Sequence, residues 1–333
     1  MEHLLAPDSA KQINVPYVGT EEFEAGESYE DIVANFKSYL PRKGWYRYST
    51  GDLMFESRTA DEIVSSLQTW LYFGSLISVF RTVGIRVQTS DFVYGSESGG
   101  AFVRTTRLLG FIAKWTQREG LAEGPVVQDF SNPKYVHGES IREILNWTFL
   151  HLRMFCQKSL EVSEAHNGPM HLVELSVMAM AESLCSTLVA IYGYEARDMP
   201  IWGPSPVLKD RLQDSGWCVS DSPFFPESLT KASISVDYYF GGYACPRPRE
   251  AHSGCTTAIC KEYQKVVDTK TYSQKHVSPN CACTPIRVPG KAVNVVANQG
   301  IPVIVWDGKT ITVSENGPQT KYVALSHVYV NPK

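Results

Sequence analysis

The chain has 333 residues, 43% hydrophobic and 20% charged, and its 31 basic against 35 acidic residues give a net charge of −4. These values are those of a folded protein with room for two domains, or for one large domain and an appendage. They argue against a nucleic-acid binder driven by counterion release, which needs a basic face.

Residues 1–25 hold Pro, Gly and acidic residues without periodicity and read as an extended arm. This N-terminus has neither the basic n-region nor the apolar core of a secretory signal. The densest apolar run, Trp70 to Phe80, is shorter than a bilayer span. The expected location is therefore the cytoplasm, with no membrane, where cysteines serve as reduced thiols or metal ligands rather than as a disulfide framework.

The first strong helix opens at Thr59, where Thr59-Ala60-Asp61-Glu62 forms a capping box. Ile63, Val64, Leu67, Trp70, Leu71, Phe73 and Ile77 follow at roughly helical spacing. Gly95 to Gly100 is glycine-rich but lacks the Lys-Ser/Thr of a phosphate loop, and reads as a flexible connector. A second helix is expected over Phe102 to Arg118, and a third opening at Ser140-Ile141-Arg142-Glu143. The fourth, Met170 to Tyr192, is apolar nearly all round, as a buried central helix would be. A shorter one starts at Ser205-Pro206 and stops at Gly216, and another runs from about Glu227 to Tyr239. The helical domain is expected to span residues 26–240.

Six of the eight cysteines fall between Cys218 and Cys283. His252, Cys255, Cys260, His276, Cys281 and Cys283 are spaced as a C-x4-C pair, a fifteen-residue interval, and H-x4-C-x-C. Thiolates and imidazoles are the ligands that tetrahedral Zn²⁺ prefers, and four close a structural site. The expected set is Cys255, Cys260, His276 and Cys283, with Cys281 and His252 as alternates, inside a linker spanning residues 241–290. The competing reading is that these side chains are buried thiols or a redox pair. No carboxylate stands beside a ligand as a hydrolytic base, so a metal here would serve folding rather than catalysis. Cys218, in Gly216-Trp217-Cys218, is either a nucleophile or a small apolar residue at a domain junction.

Beyond the linker, Lys291 to Asn298 reads as a short helix. Pro302 to Trp306 is a strand, Asp307-Gly308 a hairpin turn and Lys309 to Val313 the return strand. Lys321 to Val330 is a last strand. The whole is a mainly α protein with a small C-terminal β segment over residues 291–333, α+β overall. Ser326 and His327 lie on opposite faces of the last strand and cannot form a dyad.

Three segments resemble fungal heterokaryon incompatibility (HET) proteins. Thr69-Trp70-Leu71-Tyr72-Phe73-Gly74 is similar to the family's N-terminal helix, and Cys255 to Cys283 to its cysteine-histidine linker. Tyr322-Val323-Ala324-Leu325-Ser326-His327-Val328 is similar to the opening strand of the HET domain. The resemblance implies a role in non-self recognition and programmed cell death, with a protein partner. In the family a Trp follows the Ser-His-Val; here Tyr329-Val330-Asn331-Pro332-Lys333 ends the sequence. The resemblance therefore implies a non-catalytic regulatory region and the stub of an effector domain. The rival reading is a hydrolase that uses Cys218 or the Cys/His cluster.

Overall fold

The computed structural model describes residues 1–7, 11–46, 54–95, 100–162, 168–218, 220, 233–245, 252, 254–256, 260, 290–297, 302–306 and 311–315. The chain divides into two compact units, Met1–Lys265 and Val266–Lys333. The architecture is mainly helical with small sheets, as the sequence implied.

The larger unit is built around a pair of long helices. α1 (Tyr29–Lys37) opens on a capping box of Ser28 and Asp31, and α2 (Tyr39–Arg42) follows at once. The sequence reading passed over α1 because the third helical position holds Asp in place of the usual Glu or Gln. α3 (Ala60–Ser66) opens on the expected Thr59 box, with Glu62 accepting from the Thr59 N–H at 2.8 Å. It continues through a π-helical segment, Leu67–Gly74, into α4 (Ser75–Thr82). The apolar helix is thus 23 residues long, longer than the sequence suggested. It and α7 (Pro169–Tyr192) are long and apolar enough to cross a bilayer, but 89% and 78% of their apolar windows are buried inside the protein. Core burial accounts for their composition.

Two helix starts differ from expectation. Residues Ala101–Val103 form strand β3, and α5 begins only at Leu108 and ends at Glu119. β3 lies between β1 (Val15–Pro16) and β2 (Val93–Gly95), antiparallel to both. The glycine-rich connector joins β2 to β3, with Gly95 opposite Ala101. α6 spans Pro133–Val162 and starts seven residues before the expected Ser140 box. The stronger signal is Asn132-Pro133: Asn132 Oδ1 accepts the Lys134 N–H at 2.9 Å, and proline occupies the first turn, where no N–H is needed.

α7 packs against α6, the π segment, α5, β1, α8 (Pro206–Asp214) and α9 (Ser233–Phe240). Gly193 ends it at φ +77, where an added Cβ would lie 2.2 Å from the Gly124 carbonyl oxygen, so no side chain fits. The described residues of the N-terminal segment are tied to the helical core, with Met1, Leu4, Val15 and Phe23 buried. Gln68, fully buried in the π segment, accepts from the Val18 and Gly19 N–H groups at 2.7 and 3.0 Å and donates to Pro16 O at 2.8 Å.

In the second unit, α10 (Gly290–Ala297) packs against a hairpin of β4 (Pro302–Trp306) and β5 (Ile311–Glu315). Pro302 pairs with Glu315 and Trp306 with Ile311. The described part of the return strand overlaps the expected one, and residues 309 and 310 lie outside the described residues. The Asp307-Gly308 turn and the strand expected over Lys321 to Val330 lie outside the described residues.

Candidate metal centre

The site is assembled where α8 and α9 end. α8 closes in a Schellman motif: Gly216 sits at φ +89, its N–H donates to Gln213 O at 2.9 Å, and the Trp217 N–H reaches Leu212 O at 3.0 Å. This turn delivers Trp217 and Cys218 in a fixed direction. The Trp217 indole N–H donates to Phe240 O at 3.0 Å and Tyr243 O at 3.1 Å, and its ring meets Phe240 edge-on. Ser215 Oγ donates to Gly241 O at 2.6 Å, and the Cys245 N–H returns to Ser215 O at the same distance. The ends of α8 and α9 are thereby joined.

α9 is held at its other end by a buried carboxylate. Glu182 of α7 accepts from the Ile234 N–H at 3.0 Å, the Ser235 N–H at 2.9 Å and Ser235 Oγ at 2.5 Å, as a negative group at a helix N-terminus should. Asp237, one turn on, is also buried and its Oδ1 has no hydrogen-bond partner among the described residues. Burial, and then the charge of Glu182, pushes its carboxyl up to about 7.

Cys218, His252, Cys255 and Cys260 converge here, with one ligand atom from each all lying within 4.8 Å of one another. His252 and Cys255 are brought together by a turn in which the Cys255 N–H donates to His252 O at 3.0 Å. Cys255 Sγ lies 3.7 Å from His252 Nδ1 and 3.9 Å from Cys260 Sγ, and Cys260 Sγ lies 3.6 Å from His252 Nδ1. A tetrahedron with Zn–S of about 2.3 Å and Zn–N of about 2.05 Å has S···S edges of about 3.8 Å and S···N edges of about 3.6 Å. The three edges among His252, Cys255 and Cys260 fit that solid to within about 0.15 Å, and those to Cys218 are within 4.8 Å. His252 Nε2 is buried and bonds to nothing among the described residues, which leaves Nδ1 as the ring nitrogen turned to the sulfurs.

Cys218 is 2% exposed and accepts a hydrogen bond from Ser220 Oγ at 3.1 Å. Burial raises its thiol, the Cys255 and Cys260 thiols raise it further, and Ser220 only partly opposes them. A nucleophilic cysteine needs the opposite shift. A cation among the sulfurs would reverse it, because a coordinating thiol is deprotonated outright.

The structure brings together two of the four ligands expected from the sequence, Cys255 and Cys260, with the alternate His252. His276, Cys283 and the alternate Cys281 lie outside the described residues. Cys218 was read as a nucleophile or a junction residue, not as a ligand. Its signal was its place directly after the helix stop Gly216, since a residue fixed by a cap makes a rigid anchor for a distant loop. Comparison with protein families, curated proteins and solved structures finds no match to this chain.

Proposed function

We infer that this chain is a non-catalytic regulatory region whose helical unit is closed by a structural Zn²⁺ held by Cys218, His252, Cys255 and Cys260. The observation that carries the reading is the agreement of the three S···S and S···N distances with a tetrahedral zinc site. Four protein ligands leave no open position for a water or substrate, so the metal would act on folding and not on chemistry. Three thiolates and one imidazole favour zinc over hard cations such as Mg²⁺ or Ca²⁺.

The biological assignment rests on the three sequence segments. Their resemblance to HET proteins supports the N-terminal region of a HET-type protein, acting in the cytoplasm in fungal non-self recognition and programmed cell death through a protein partner. The π-helical Leu67–Gly74, which contains the first segment, is wholly buried, so its role would be to hold the core and not to touch the partner.

Zinc analysis of the purified chain tests the metal: one equivalent per chain is expected, and its absence from protein refolded with zinc sinks the reading. Expression in a filamentous fungus tests the rest. Alone, the chain should leave viability unchanged; together with a full-length HET protein it should change the fraction of dying cells. Killing by the chain alone would show effector activity of its own and overturn the regulatory assignment.

A further inference from the structure

The four ligands are unequal in two respects, sequence distance and access. Cys255 and Cys260 are five residues apart, in one short segment with His252, and their sulfurs are 3.9 Å apart. Cys218 is separated from that segment by about 33 residues. His252 and Cys255 are partly exposed, whereas Cys218 and Cys260 are buried. A small oxidant therefore meets Cys255 first, and the nearest sulfur in its own segment is Cys260. Two thiols of the helical core, Cys185 and Cys156, are poorer targets. Cys185 is buried and pushed up to about 12, and Cys156 is raised by burial and by Glu174.

We propose that the metal centre is a peroxide-sensitive switch, in which a hydroperoxide joins Cys255 to Cys260 and frees Cys218 and the metal. The proposal rests on the metal reading above. In the first step the Cys255 thiolate attacks one peroxide oxygen, the O–O bond breaks, and a sulfenic acid and hydroxide (or alkoxide) form. In the second, the Cys260 thiolate attacks the sulfenic sulfur, an S–S bond forms and hydroxide leaves. Two sulfurs are oxidised, one peroxide is reduced, and the two anions released take up two protons. Zn²⁺ is left with Cys218 and His252 alone and departs to water. The disulfide keeps Cys255 and Cys260 joined but severs the tie to α8. Oxidation thus opens the long loop between Cys218 and His252 and leaves the short one intact. A reductant that returns both thiols, with zinc present, restores the tie.

The test uses the full chain loaded with zinc and titrated with hydrogen peroxide, while a chromogenic chelator reports released metal. Trypsin cuts after Arg249 and Lys261, so Cys255 and Cys260 fall in one peptide, Glu250 to Lys261, and Cys218 in another, Leu212 to Lys231. One zinc should be released per peroxide consumed, with the Glu250 to Lys261 peptide two hydrogens lighter and the release reversed by a phosphine reductant. In zinc-free Cys218→Ser the same disulfide should still form, since neither of its sulfurs is touched. Zinc that stays bound under peroxide, or a disulfide joining the two peptides, overturns the switch while leaving the metal reading intact. A chain that takes up no zinc before peroxide is added refutes the metal reading, a result distinguishable from failure of the switch.

Discussion

Cys218 belongs to a candidate ligand set that differs from the one expected from sequence, and single substitutions test between the two. Cys218→Ser and Cys260→Ser should each abolish stoichiometric zinc, whereas His276→Ala and Cys283→Ser should retain it. Loss of zinc in the second pair, read by metal analysis of the folded chain, would restore the set expected from sequence. Asp237 is the second residue with a sharp consequence. Its carboxyl is raised to about 7 in the folded chain from an ordinary value of 3.8. Over that interval the folded state holds a proton that the unfolded state has released, so stability falls as pH rises from about 4 to about 7 and is flat above. Asp237→Asn removes this dependence. It should stabilise the protein at pH 8 by about 2 kcal/mol, and hardly at all at pH 4, in paired urea titrations. Equal effects at both pH values would show that packing, not ionisation, is responsible.

Among the elements, the long helices were legible because their apolar positions are their own signal, as α7 shows: Met170 to Tyr192 was read almost to the residue. The misses have local causes. Most of β3 was absorbed into a helix because Phe102 and Val103 suit either state, and pairing with Val93 across the connector and with Val15, remote in sequence, decides for a strand. The start of α6 was misplaced because a capping-box pattern at Ser140 also occurs within helices, where it caps nothing. The metal centre was half legible: spacing exposed Cys255 and Cys260, but nothing local joins them to Cys218. Gln68 was invisible as an anchor, since a polar residue in an apolar helix gives no hint of its partners. Gln68→Ala should cost about 2 kcal/mol by stranding Val18 N–H, Gly19 N–H and Pro16 O. Faster proteolysis within residues 1–25 should accompany the loss; an arm as resistant as in the parent chain would deny Gln68 this role.

For the molecule as a whole, a metal bound at this centre would close a loop of about 33 residues between Cys218 and His252. Treated as a cross-link, such a closure is worth on the order of 4 kcal/mol of chain entropy. Chelation should therefore lower the melting temperature by about 7 °C, and a calorimetric scan with and without chelator checks this. Because all four ligands precede Lys265, the end of the first unit, a chain cut after that residue should bind zinc with unchanged stoichiometry. The π segment carries a different implication. Each of its residues turns through a smaller angle than in an α-helix, so Leu67–Gly74 sets the rotational phase of everything after it. Leu76, Val79 and Phe80 of α4 reach the core only in that phase. A wheel drawn with a single period across Ala60 to Thr82 would misplace half of the helix. Deleting one residue between Leu67 and Gly74 would work as a screw, turning Arg81, the one residue of α4 that is not buried, toward the core.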